Sequence, residues 1–148
     1  MKTRFAVSHK SRSKFVRRGL RAYFEYRDLG IERATRGKVV AHVIRARPGK
    51  APHGQWHRHD CRMQFVYVLK GTAVFEYEGV GKVKMRPGSC FYQPPGVRYR
   101  EISHSKDLEL LEIVAPANFR TLSETQARAP SRMEKPVARK SRARRLRG

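Results

Sequence analysis

The sequence predicts an all-β fold: a single antiparallel β-barrel over residues 22–127, between a disordered basic N-terminal segment (1–21) and a disordered basic C-terminal tail (128–148). Three observations point there. Apolar and aromatic residues come in runs of strand length, Gly and Pro break those runs at close spacing, and few windows hold a helical period for three turns. The breaks fall at Gly71, Gly79-Val80-Gly81, Pro87-Gly88 and Pro94-Pro95-Gly96. Many short strands between such turns belong to antiparallel barrels or sandwiches.

In chain order, strands are expected near Ala22–Leu29, Val39–Ala46, Gln55–His59, Met63–Leu69, Ala73–Tyr77, Val83–Arg86, Cys90–Gln93, Val97–Ile102 and Leu108–Val114. The run Ala117–Glu124 is expected to close the domain as a helical turn. Tyr67, Phe75, Tyr77, Phe91 and Tyr92 fall at strand spacing and are read as core or dimer-interface packing. Trp56 alternates with His57 and so should point away from whatever His57 faces.

The charge is uneven. Of the net +22, each tail carries a net eight positive charges, 16 in all, so the central domain is only mildly basic. Tails dense in like charge and poor in large apolar residues cannot offset the entropy of ordering. Their expected partner, if any, is nucleic acid or an anionic surface, bound weakly and without sequence preference. No apolar run approaches the roughly 18 residues that cross a membrane, and none is read as a membrane partner. Cys61 and Cys90 are too few for a disulfide framework and lack paired zinc spacing, so a reducing cytoplasmic location is expected and both are read as buried small apolar residues.

The chemistry concentrates in Gly54-Gln-Trp-His-Arg-His-Asp60. His57 and His59 lie two apart, and side chains two apart on a strand point the same way, so both imidazoles face one side. Gln64 shares a face with Val66 and Val68, in a strand whose two faces are both largely apolar, and a buried amide there wants a partner. The step from 59 to 64 is odd, so a turn or bulge around Asp60–Arg62 must intervene if Gln64 is to face the histidines. Gln93, ahead of the Pro94-Pro95-Gly96 turn, is a further pocket candidate. Asp60 follows His59 and should turn away, which leaves no evident general base. His9, His42, His53 and His104 are assigned no role.

Two spacings resemble the cupin superfamily, in particular its small single-domain barrels of jelly-roll type, also called double-stranded β-helices. His57, His59, Gln64 and Gly71 stand at the positions of the first cupin motif. Gly88, Pro94, Gly96, Tyr99 and Ser103 stand at those of the second. The resemblance covers about residues 37–115. It implies a divalent metal (Fe, Mn or Zn) held by His57, His59, Gln64 and Tyr99. It also implies a small-molecule ligand in contact with Gln64, Gln93 and Tyr99, and a homodimer paired through Ala22–Leu29. Here, however, Gln64 stands where cupins usually have Glu, and Tyr99 where they have the last His. A neutral amide is a weaker ligand for a dication, and a phenol must lose a proton of pKa about 10 to bind well. The set is therefore either an unusual metal site or one that has lost its metal. Three functions stay open: small-molecule binding in the barrel, metal-dependent catalysis of dioxygenase, isomerase or decarboxylase type, and nucleic-acid or anionic-surface binding through the tails.

Overall fold

The computed structural model describes residues 2–17, 19, 21–52 and 54–123. The tail 128–148 lies outside the described residues. Among the described residues ten strands run in chain order: β1 (Phe24–Asp28), β2 (Val40–Ala46), β3 (His57–Asp60), β4 (Met63–Lys70), β5 (Ala73–Tyr77), β6 (Gly81–Met85), β7 (Cys90–Tyr92), β8 (Tyr99–His104), β9 (Glu109–Ala115) and β10 (Arg120–Ser123). A short helix α1 (Ile31–Thr35) joins β1 to β2. The strands form two antiparallel five-stranded sheets, in the orders β1-β2-β9-β4-β7 and β10-β3-β8-β5-β6. This is the predicted antiparallel barrel.

The inner faces carry the core. Ile44 and Ala46 of β2, Val66 and Val68 of β4, Ala73 and Phe75 of β5, and Leu110 of β9 recur at every second position, as inward-facing strand residues must. Gly71 closes the β4–β5 turn with φ +72°, and a Cβ there would overlap Ser105 and the Leu108 backbone, so only glycine fits.

Several expectations change. The run Ala117–Glu124 supplies a strand rather than a helical turn: Arg120–Ser123 pairs with β3 in register Thr121↔His59. β3 meets β8 only at His57↔Tyr99, and β10 satisfies the backbone groups on its other side. The described residues of 1–21, expected to be disordered, lie along the barrel. Val16 bridges Tyr26, Arg17 reaches Glu25 at 3.3 Å, Arg45 sits over the Phe15 ring, and Arg4 N–H donates to Ala34 O. Backbone pairing at the β1 edge and the carboxylate of Glu25 hold a segment whose composition alone favours solvent. β1 pairs with β2 of its own chain. Phe75 is core and Tyr77 and Phe91 pack on it, whereas Tyr67 and Tyr92 are exposed on the outer sheet face. Cys61 is buried as expected, but Cys90 is exposed because it opens a three-residue strand whose ends face solvent. Among the described residues no helix is long and apolar enough to cross a membrane.

Candidate functional site

The two histidines point into the barrel. His57 and His59 are 3% and 6% exposed, while Arg58 and Asp60 between and after them face out, and Asp60 is engaged by Arg120 at 2.6 Å. Trp56 faces away, beneath the guanidinium groups of Arg98 and Arg100. The odd step to Gln64 is absorbed at Cys61-Arg62, where the chain leaves one sheet and enters the other, so that Gln64 also turns inward, 1% exposed. Tyr99 faces His57 directly across the β3–β8 pair, with ring centroids 4.2 Å apart.

A cavity of about 380 Å³ lies inside, within the range that holds a small organic ligand. Ile44, Val66, Phe75, Phe91 and Leu110 form apolar walls, and His57, His59, Tyr99 and Gln93 contribute polar groups. The N-terminal lead to β1 adds Val16, Gly19, Arg21 and Tyr23 to the lining. Gly19 lies flush on Tyr26, where a Cβ would run into the ring. Gln64 lies just behind this lining, bonded to groups that belong to it.

Sequence reasoning missed two residues here, Glu112 and His42. Register places Glu112 opposite Val66 on one side and opposite His42 on the other, so all three share the inner face. His42 Nε2 lies 2.7 Å from Glu112 Oε1, and Gln64 Nε2 donates to Glu112 Oε2 at 2.8 Å. The available signal was alternation. Glu112 sits two from Leu110 and two from Val114, and His42 two from Ile44, so each is a polar residue in an inward apolar register.

Hydrogen bonds link these groups across the barrel. Gln64 also bonds Tyr99, whose hydroxyl lies 2.8 Å from His59 Nε2, and Thr121 Oγ1 lies 2.8 Å from His59 Nδ1. His57 Nδ1 donates to the Gln55 carbonyl at 3.1 Å, which leaves its Nε2 as an acceptor. Burial lowers the His57 pKa to about 3, helped by the nearby Arg21 charge, and lowers that of His59 to about 4. Both rings are neutral at pH 7. Burial likewise lifts the Tyr99 hydroxyl well above its usual range. For Glu112, burial favours the neutral acid, but hydrogen bonds from His42 and Gln64 and the pull of His42 and His59 outweigh it and hold the carboxyl below its usual range.

The Cupin domain family model matches residues 43–114, which span β2 to β9. Residues 43–114 of the barrel are a cupin domain. Similar folds include the polyketide cyclase RemF from Streptomyces resistomycificus, at 18% identity and TM-score 0.65 over 85% of this chain and 89% of that one. KdgF from Halomonas sp. superposes at TM-score 0.60 and 18% identity, covering 75% and 94% of the two chains. An RmlC-like cupin from Shewanella frigidimarina gives TM-score 0.56 and 19% identity over 80% and 96%. No curated protein matches the chain.

A cupin barrel implies a divalent metal, and its fit depends on the donor atoms the four residues offer. His59 Nε2 is taken by Tyr99, Gln64 offers only the oxygen of a neutral amide, a weak donor to a dication, and Tyr99 is a protonated phenol. Of the four predicted ligands, only His57 presents an open nitrogen. Among the described residues no three His, Cys, Asp or Glu side chains gather at metal-binding distance. The four residues are brought together as predicted, but bonded to one another, and in this arrangement they do not fit a divalent ion. Gln93 lines the same cavity and donates to Tyr77 at 3.0 Å.

Proposed function

We propose that this cupin binds a small organic molecule inside its barrel through direct contacts with side chains. The observation that carries this reading is the interior cavity, where apolar walls surround a few polar groups whose orientations are fixed by their own hydrogen bonds. Such preorganisation lowers the cost of binding, because the receptor groups need not be ordered on association. His57 Nε2 offers an acceptor to a ligand hydroxyl or N–H. Screening small cyclic and aromatic compounds by NMR should give hits whose shift changes fall on His57, Phe75, Phe91 and Tyr99. Ile44→Phe, which fills cavity volume with an apolar ring, should abolish binding. Hits confined to the outer faces, or undiminished in Ile44→Phe, would overturn the reading.

A second reading, acid–base catalysis on the bound molecule, is favoured by the Glu112–His42 pair. An ionised carboxylate on the cavity wall, within hydrogen-bond reach of an imidazole, can take a proton and pass it on. That reading needs no metal, and it supplies the general base that the motif residues lack.

A further inference from the structure

Two buried polar atoms on the cavity lining have no hydrogen-bond partner among the described residues. They are the guanidinium nitrogen Nη2 of Arg21 and the amide oxygen Oε1 of Gln93. One is a charged donor and the other a neutral acceptor. Buried polar groups are normally satisfied, and a pair of opposite sense in one cavity describes the ligand that would complete them.

The neighbouring carboxylates do not serve Arg21. Glu112 spends one oxygen on His42 and the other on Gln64. Glu101 is bonded to His104 at 2.8 Å and also to Tyr23. Arg21 is nevertheless close enough to influence the protonation of His57, His59, Tyr99, Glu101 and Glu112, which puts its charge amid the polar groups of the cavity. The local structure fixes it there. Arg21 O accepts the Phe24 N–H at 3.1 Å, and Gly19 allows the chain just before it to lie against Tyr26. Gln93 is oriented from the other side, with its N–H bonded to Gln64 O and its amide nitrogen to Tyr77, so its oxygen is the free end.

We propose that the ligand is a small organic acid carrying a hydroxyl group, its carboxylate bound by Arg21 and its hydroxyl donating to Gln93, with its carbon frame against Phe75 and Phe91. This rests on the small-molecule reading above and adds the chemical class. A planar guanidinium suits a carboxylate, which it can bind through two parallel hydrogen bonds. The apolar walls favour a cyclic or aromatic acid over a bare inorganic anion.

The test titrates the full chain, by calorimetry, with 2-, 3- and 4-hydroxybenzoate, the matching hydroxybenzamides, and benzoate. The expected result is that at least one hydroxybenzoate binds tenfold or more tightly than its amide and several-fold more tightly than benzoate. Arg21→Gln should erase the acid-over-amide preference, and Arg21→Lys should keep part of it. Arg21 lies outside the core, and unchanged circular dichroism of both variants establishes that they fold. Amides that bind as well as acids, or a preference that survives Arg21→Gln, would overturn this proposal and leave small-molecule binding standing. Binding of neither acid nor amide would overturn the proposal together with the reading on which it rests.

Discussion

The barrel contains two histidine–glutamate pairs, and they behave oppositely. His42–Glu112 spans β2 and β9 at 2.7 Å with 16% and 14% of the two side chains accessible. His104–Glu101 lies within β8 at 2.8 Å with only 4% and 3% accessible. Burial raises the Glu101 pKa and prevails over the hydrogen bond and charge of His104, the charge of Arg21 and the bond from Tyr23. At Glu112 the partners win and the carboxyl stays below its usual range. Similar pairs on one cavity thus give a carboxylate at Glu112 and a carboxyl inclined to keep its proton at Glu101. Each carboxyl has a second donor, Gln64 at Glu112 and Tyr23 at Glu101, so what separates them is accessibility, and the pairing alone does not set the charge.

The largest expected effect comes from forcing charge onto the two histidines of the cavity these pairs line. His57 and His59 titrate near 3 and 4 in the folded barrel but near 6.5 when unfolded. Their folded pKa values are depressed, so the stability they contribute is complete above about pH 6.5 and is lost as pH falls toward 3. As pH falls from 7 to 5 the unfolded chain comes to hold nearly two protons on these rings and the folded one almost none, a loss of about 4 kcal/mol. Urea denaturation at the two pH values measures it, and a His57→Gln, His59→Gln double variant should show little of this loss.

Breaking each pair comes next. His104→Leu removes the partner of an almost inaccessible carboxyl and should cost about 3 kcal/mol, whereas His42→Leu leaves Glu112 with Gln64 and some water, at about 1–2 kcal/mol. Denaturant midpoints of the two variants rank them, and a reversed order would mean that accessibility does not control the difference. The smallest effect sharpens the comparison without destroying it. Gln64→Leu removes one donor to Glu112 and should move its carbon-13 carboxyl titration upward, with Glu101 unmoved.

The parts legible in the sequence were those that repeat. Alternation and turn residues gave nine of the strands, and motif spacing at His57, His59, Gln64 and Tyr99 identified four side chains that do meet. Two kinds of information stayed out of reach. Glu112 and His42 are distant in sequence from the motifs and join them only through strand register, which alternation suggests but does not fix. The other is competition between partners. The same four residues could coordinate an ion or bond one another, and only the distances show that Tyr99 occupies the His59 nitrogen a metal would need. Arg21 was hidden for a third reason. Its segment has the composition of a solvated tail, and its place at the cavity depends on Gly19 fitting against Tyr26.

The proposed role of the interior polar groups is to serve an organic ligand directly. Elemental analysis of the full chain, purified without added metal and then dialysed against iron(II), manganese(II) or zinc(II), tests it most directly. Well under one equivalent of any of the three is expected. Near-stoichiometric metal that disappears in His57→Ala would contradict it.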